Sequence, residues 1–250
     1  RLRLSARRSL LQIVENEFPL LQEAPGVSRM DQFYQRAFGL VTSPVARKAF
    51  DINQESPKLR ERYGRNIYAQ QLLLARRLVE AGVRLVTIVW GGAINMPQDY
   101  WDTHQGNFPK QKEKLLPAFD QCYSALLDDL EDRGLMDDTL VVAMGEFGRT
   151  PRVGQITANG GTDSTGRDHW PFCYSITLAG AGIRGGNVIG RSDETTYTYE
   201  ERPVTPEDLV ATIYHAMGID YQAHMRDQLD RPLPIVRDGH PVLELWGSRV

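Results

Sequence analysis

Val83-Arg84-Leu85-Val86-Thr87-Ile88-Val89 is β-branched, almost unbroken in apolar character, and set directly after Gly82. A run of this kind suits a strand buried on both faces, the environment of a mostly parallel sheet. The segment before it reads as a helix from Asn66. Ile67, Gln70-Gln71, Leu74, Leu78 and Val79 keep one face, Arg76-Arg77 and Glu80 are expected in water, and Gly82 supplies a left-handed C-terminal cap. After a loop from Gly91 to Pro109, Leu115, Leu116, Phe119, Cys122, Tyr123, Leu126 and Leu130 recur at helical spacing as far as Gly134, which predicts a long helix. Thr139 to Met144 is expected to form a second strand and Cys173 to Ala179 a third, with Val188-Ile189 as a short addition. Thr205-Pro206-Glu207 opens a last helix, with Thr as N-cap and Pro at the first helical position, running to Gly218. This alternation of strand and helix is that of a three-layer α/β domain with a mostly parallel sheet.

Residues 1–82 form a different region, helical throughout, with breaks at Pro19, Ala24-Pro25-Gly26, Thr42-Ser43-Pro44 and Ser56-Pro57. Leu2, Leu4, Leu10, Leu11, Ile13 and Val14 fall near helical spacing, so the basic opening reads as an amphipathic helix rather than a secretory signal. The expected organisation is thus a helical segment over 1–82, capping or inserted in the same domain, followed by an α/β region over 83–250.

The 250 residues are 41% apolar and 24% charged, the balance of a soluble globular chain. A net charge of -3, from 29 basic and 32 acidic residues, gives no positive field to hold a phosphate backbone, so nucleic acid is not expected as a partner. No apolar run approaches the roughly 20 residues that a membrane span needs. Cys122 and Cys173 belong to no Cys/His cluster, which argues against a thiolate zinc site or a disulfide framework.

In open α/β sheets ligands gather beyond the carboxyl ends of the strands, so the loops there deserve the closest reading. Trp101-Asp102-Thr103-His104, Gly145-Glu146-Phe147-Gly148-Arg149-Thr150 and Gly166-Arg167-Asp168-His169-Trp170 bring histidines, carboxylates and arginines together. Asp102 and His104, two apart, point to one side of extended backbone and can share a cation. Imidazole with carboxylate suits zinc, iron or manganese better than calcium. The alternative is that His104 and Glu146 merely cap or pair within their loops. Arg149 is suited to hold an anionic oxygen, and Asp168-His169 reads as a ligand or base beside a carboxylate. His215, His224 and His240 have no comparable acidic neighbour and are expected to be structural or solvated.

Two motifs point elsewhere. Gly180-Ala181-Gly182-Ile183-Arg184-Gly185 fits the dinucleotide fingerprint, but the residues after it favour a turn over the helix N-terminus that a pyrophosphate needs. Ser164 and Thr165 lie near His169, yet no Gly-x-Ser-x-Gly elbow exists to support a serine hydrolase.

Taken together, Tyr63-Gly64, the Leu74 to Gly82 stretch, Trp101-Asp102-Thr103-His104, Gly145 to Pro151, Gly166 to Pro171 and Arg202 to Leu209 resemble the bacterial domain-of-unknown-function family 1501, from about residue 45 onward. That family is grouped with the alkaline phosphatase and sulfatase superfamily. The resemblance implies an alkaline-phosphatase-like α/β sandwich and hydrolysis or transfer of phosphate or sulfate esters at one or two metal ions. It also implies that Asp102, His104 and His169 are ligands of one ion, with Glu146 at the second position. There Phe147 replaces the histidine of the usual Asp-His pair. The superfamily's nucleophile loop has no match here, so the chain reads as the later part of a longer protein.

The expected function is therefore a metal-dependent ester hydrolase with zinc first among its cofactors, iron, manganese or calcium being the others. Its metal ligands would be Asp102, His104, Glu146 and His169, with Arg149 and Asp168 as catalytic residues. The substrate would be a small-molecule or polysaccharide ester. Export to a bacterial periplasm is implied by the family resemblance alone. The competing expectation is a non-catalytic module of the same family that binds an anionic ligand, polysaccharide or protein.

Overall fold

The structure is a computed structural model that describes residues 43–91, 100–157 and 161–247, with residues 6, 9–10, 13, 33–35 and 37–39 before them. The expected first helix falls mostly outside the described residues, as do the breaks at Pro19, Ala24-Pro25-Gly26 and Thr42; Leu10 and Ile13 are helical and exposed.

The helices form where local chemistry starts and stops them. Helix α1 (Pro44–Phe50) and helix α2 (Pro57–Tyr63) each carry proline in the first turn behind a serine N-cap, Ser43 and Ser56, whose side chain accepts a backbone N–H. Helix α3 (Ile67–Glu80) starts at Asn66, whose side chain accepts from the Ala69 amide, and the chain leaves it through Gly82 at φ +89°. Helix α4 (Asn107–Lys110), a π-helical turn (Gln111–Leu115) and helix α5 (Leu116–Asp132) follow in succession. Tyr63, Ala69, Leu72 and Leu73 meet Cys122, Ala125, Leu126 and Leu130 in one buried cluster. The core thus joins α2 and α3 to α5, on either side of the boundary drawn at residue 82.

Arg76 and Arg77, expected in water, are buried at 1% and 8% exposure. Their heads are paired rather than stripped of water: Arg76 contacts Asp129 at 2.7 Å, Glu80 at 2.7 Å and Glu55 at 2.9 Å, and Arg77 pairs with Glu55. Amphipathic periodicity assigns charged residues to water because it sees one helix at a time, and of these partners Asp129 and Glu55 come from outside the helix.

The expected three-layer sandwich with a mostly parallel sheet is not what the chain forms. Among the described residues the strands make two-stranded antiparallel pairs. Strand β1 (Val141–Ala143) pairs with β4 (Thr177–Ala179), and β2 (Gly148–Arg149) with β3 (His169–Trp170). Likewise β5 (Arg191–Ser192) pairs with β6 (Tyr199–Glu201), and β7 (His224–Arg226) with β8 (Pro232–Pro234). The physical reason is in the connections. Parallel neighbours need a crossover of a dozen or more residues, usually helical. Between Ala143 and Thr177 the described residues contain no helix, and the chain returns antiparallel. Nor is Val83 to Val89 a strand: Leu85 and Val89 are 67% and 77% exposed, while Ile88 and Trp90 pack on the helical core. A β-branched run favours extended backbone, but only a neighbouring ladder makes it a strand. Val188, read as a short strand, is instead an exposed loop residue ahead of β5.

Helix α6 (Pro206–Ala216) matches its expected start, with a full capping box between Thr205 and Asp208.

Candidate functional site

The β2–β3 pair is the frame of the site. Its register sets Arg149 opposite His169 and Gly148 opposite Trp170. Gly148 is required by crowding, because a Cβ there would run into the Cys173 and Trp170 carbonyls. A second frame comes from residues 162–167. The His104 carbonyl accepts from the Thr162 hydroxyl at 2.6 Å and the Asp163 amide at 3.2 Å, and the Thr103 carbonyl accepts from the Arg167 amide at 3.2 Å. Thr165 holds the start of α4, its hydroxyl accepting from the Gly106 amide and its carbonyl from the Asn107 amide. Thr103 and Asn107 are fully buried beneath and bonded to each other.

These two frames bring Asp102, His104 and His169 together. Asp102 Oδ1 lies 2.9 Å from His104 Nε2 and 3.0 Å from His169 Nε2, and the two Nε2 atoms are 3.1 Å apart. Hydrogen bonds alone serve these atoms poorly. A carboxylate oxygen offers two lone pairs, and Arg149 Nη2 already donates to Asp102 Oδ1, so two imidazole N–H groups as well would make three donors on one oxygen. A cation would satisfy all three lone pairs at once. Zinc bonds of about 2.0–2.2 Å at tetrahedral angles separate neighbouring ligand atoms by roughly 3.4 Å, so the triangle need open by only a few tenths of an ångström. The donor set therefore fits a divalent metal of the zinc, iron or manganese kind.

Arg149 meets the same oxygen. Its Nη2 donates to Asp102 Oδ1 at 2.5 Å and to the Trp101 carbonyl at 3.3 Å, and its Nη1 donates to the Arg167 carbonyl. Burial works against ionisation of Asp102, but the hydrogen bonds from Arg149 and His169 outweigh it and hold the carboxyl below its ordinary range. Arg167 is anchored by donating to the Thr150 and Arg149 carbonyls, and burial, with Arg149 nearby, lowers its pKa.

The other expected residues are placed differently. Glu146 is exposed and lies outside the cluster of possible ligands formed by Asp102, His104 and His169. Its neighbour Phe147 instead packs tilted against His169, ring centres 4.5 Å apart and planes at 45°. Asp168 is fully buried, so it touches the site from behind rather than facing a ligand. Thr165, next to Ser164 in the weaker hydrolase reading, is tied by its amide and hydroxyl to Asp163. The glycine run at Gly180 turns at positive φ against the Met136 and Thr139 carbonyls, with no helix N-terminus for a pyrophosphate.

Thr150, Thr157, Thr162 and Asn107 support the site and went unread in the sequence, since threonine and asparagine in polar loops carry no periodic signal.

A family described as "Protein of unknown function (DUF1501)" matches residues 2–246. The chain belongs to the DUF1501 family. No curated protein and no solved structure matches the chain. DUF1501 membership carries no activity with it, so the chemistry rests on the donor set and its surroundings. No helix of the described residues is long and apolar enough to cross a membrane.

Proposed function

We propose that the chain is a metal-dependent hydrolase of phosphate or sulfate esters, working by the chemistry of the alkaline phosphatase and sulfatase superfamily. The observation that carries this reading is one carboxylate oxygen, on Asp102, met by two imidazole nitrogens and a guanidinium. Asp102, His104 and His169 would hold a divalent ion, zinc first. Such an ion, when bound, polarises the ester's oxygens and stabilises the charge that develops on them. Arg149, held in place by Asp102 and the Trp101 and Arg167 carbonyls, contributes a fixed positive charge beside the triangle that would offset the charge of a tetrahedral anion. Phe147, tilted against His169, gives that ring an apolar neighbour on one side. A small-molecule or polysaccharide ester is the substrate class, and a bacterial periplasmic location goes with the family resemblance.

A second reading, a non-catalytic module that binds an anionic ligand, is favoured by the Glu146–Phe147 position, where an exposed carboxylate and an apolar ring stand in place of a second metal's ligands.

Elemental analysis of the purified chain beside His104→Ala and His169→Ala, followed by assays on p-nitrophenyl phosphate and p-nitrophenyl sulfate, separates the readings. Stoichiometric zinc, iron or manganese, lost from both variants together with hydrolysis, is expected. Bound metal without turnover supports the binding module. Absence of metal after supplementation overturns the metal centre.

A further inference from the structure

Resting on that reading of the site, we propose that Asp168 is the positioning residue for both histidines, fixing the backbone of His169 and the ring tautomer of His104 so that His104 presents a bare Nε2. The carboxylate is fully buried at 0% exposure, which removes it from any contact with substrate. Its oxygens are divided between two tasks. Oδ2 accepts from the Thr157 amide at 2.9 Å and the Thr157 hydroxyl at 3.0 Å. Oδ1 accepts from the His169 amide at 2.8 Å and lies 3.5 Å from His104 Nδ1.

That Nδ1 is buried and has no hydrogen-bond partner among the described residues. A neutral imidazole carries its proton on one nitrogen only. Asp102 Oδ1, 2.9 Å from His104 Nε2, is already met by Arg149 Nη2 at 2.5 Å and His169 Nε2 at 3.0 Å, so a proton on His104 Nε2 would be a third donor to one oxygen. At Asp168 Oδ1, which faces Nδ1, a proton would be only the second donor, beside the His169 amide; the proton therefore sits on Nδ1 and Nε2 keeps its lone pair. A closing of about half an ångström makes the contact a charge-assisted hydrogen bond. Three donors, the Thr157 amide and hydroxyl and the His169 amide, converge on its two oxygens, the surroundings of a carboxylate that accepts at every contact. The backbone repeats the arrangement: Thr150 donates its amide to the Asp168 carbonyl at 2.9 Å, and its hydroxyl accepts from the Asp168 amide at 3.1 Å. Carboxylates that orient metal-binding histidines in this way are worth roughly 10–100-fold in metal affinity.

The test uses the full chain, its Asp168→Asn variant and a milder Thr157→Val variant, which removes one donor while leaving the carboxylate. Zinc affinity is read by competition with a chromophoric chelator, and imidazole tautomers by long-range 1H–15N correlation on the metal-free protein labelled at its 5 histidines, with His104→Ala to assign the signal. The expected result is a His104 proton on Nδ1 in the parent, loss of that preference in Asp168→Asn, and zinc binding about 10–100-fold weaker. Thr157→Val should fall between, and it carries the test if Asp168→Asn fails to fold. A His104 proton on Nε2 in the parent, or variant affinities within twofold of it, overturns the proposal. If the parent takes up no zinc the metal reading fails by itself, and the tautomer spectrum still decides the role of Asp168.

Discussion

At the scale of single residues, the site depends on how closely two loops approach. Gly166 is buried, and a Cβ built on it would collide with the His104 carbonyl and the Thr162 hydroxyl. Neither can yield easily, because they are bonded to each other at 2.6 Å. Gly166→Ala is therefore expected to cost about 1–3 kcal/mol, as overpacking does, and to abolish metal uptake while the helical core stays folded. Urea unfolding beside zinc stoichiometry checks it, and a variant that keeps full zinc would show that the interlock does not place His104. Asp102 and His104 were legible together because they share a face of extended chain, and His169, in the loop ahead of the third expected strand, was joined to them through the family resemblance. Glu146, given to a second ion by the resemblance, stands exposed and apart from the triangle: loop membership says which residues are near one another, not which way each side chain turns. Gly166 gave no signal, since close approach comes from a partner distant in sequence.

Between elements, the main tie is the buried guanidinium of Arg76, which links α3 to Asp129 on α5 and to Glu55 before α2. Tyr63 donates to the same Asp129 carboxylate at 2.9 Å, and the charge there together with burial pushes the phenol's pKa up. Asp129→Ala leaves the cation short of a partner and is expected to cost about 3–5 kcal/mol. Removing the exposed Glu61–Arg65 pair should cost under about 1 kcal/mol. Denaturant titration of the two variants makes the comparison, and equal losses would mean Arg76 is not the tie. Glu55 adds a pH dependence. Burial opposes its ionisation, but Arg76 and Arg77 prevail and hold its carboxyl below 4.5. A carboxylate depressed on folding contributes fully above its unfolded pKa, and that contribution is lost as pH falls through the lower folded value. Stability should hold down to about pH 4.5 and then decline, with a shallower decline in Glu55→Gln; identical pH profiles would dismiss Glu55 as a contributor. The helices themselves were legible from apolar spacing and caps such as Asn66 and Thr205. The strands were less so, because Val83 to Val89 states a backbone preference, whereas sheet order and direction depend on connections and partners that no local window contains.

Across the whole molecule, stability is unevenly spread: α2, α3 and α5 share a buried cluster, while the metal ligands stand on loops held by hydrogen bonds and a two-residue strand pair. Loops of this kind lie at the low end of local stability, so a ligand that joins Asp102 and His104 to His169 should tighten the less stable part. The gain follows from linkage. A cation that binds only the folded chain adds about 2.7 kcal/mol at a free concentration one hundred times its Kd. For a chain of this size each kcal/mol raises Tm by roughly 2–4 °C. Zinc at that excess is thus expected to raise Tm by about 5–11 °C in the parent, with the rise growing with the logarithm of concentration and absent in His104→Ala. Calorimetry over a zinc series decides the matter. A logarithmic rise confined to the parent ties the cation to this triangle, and a rise that persists in His104→Ala places the binding elsewhere. A flat Tm in the parent means that the ligand atoms, close as they are, do not take up zinc.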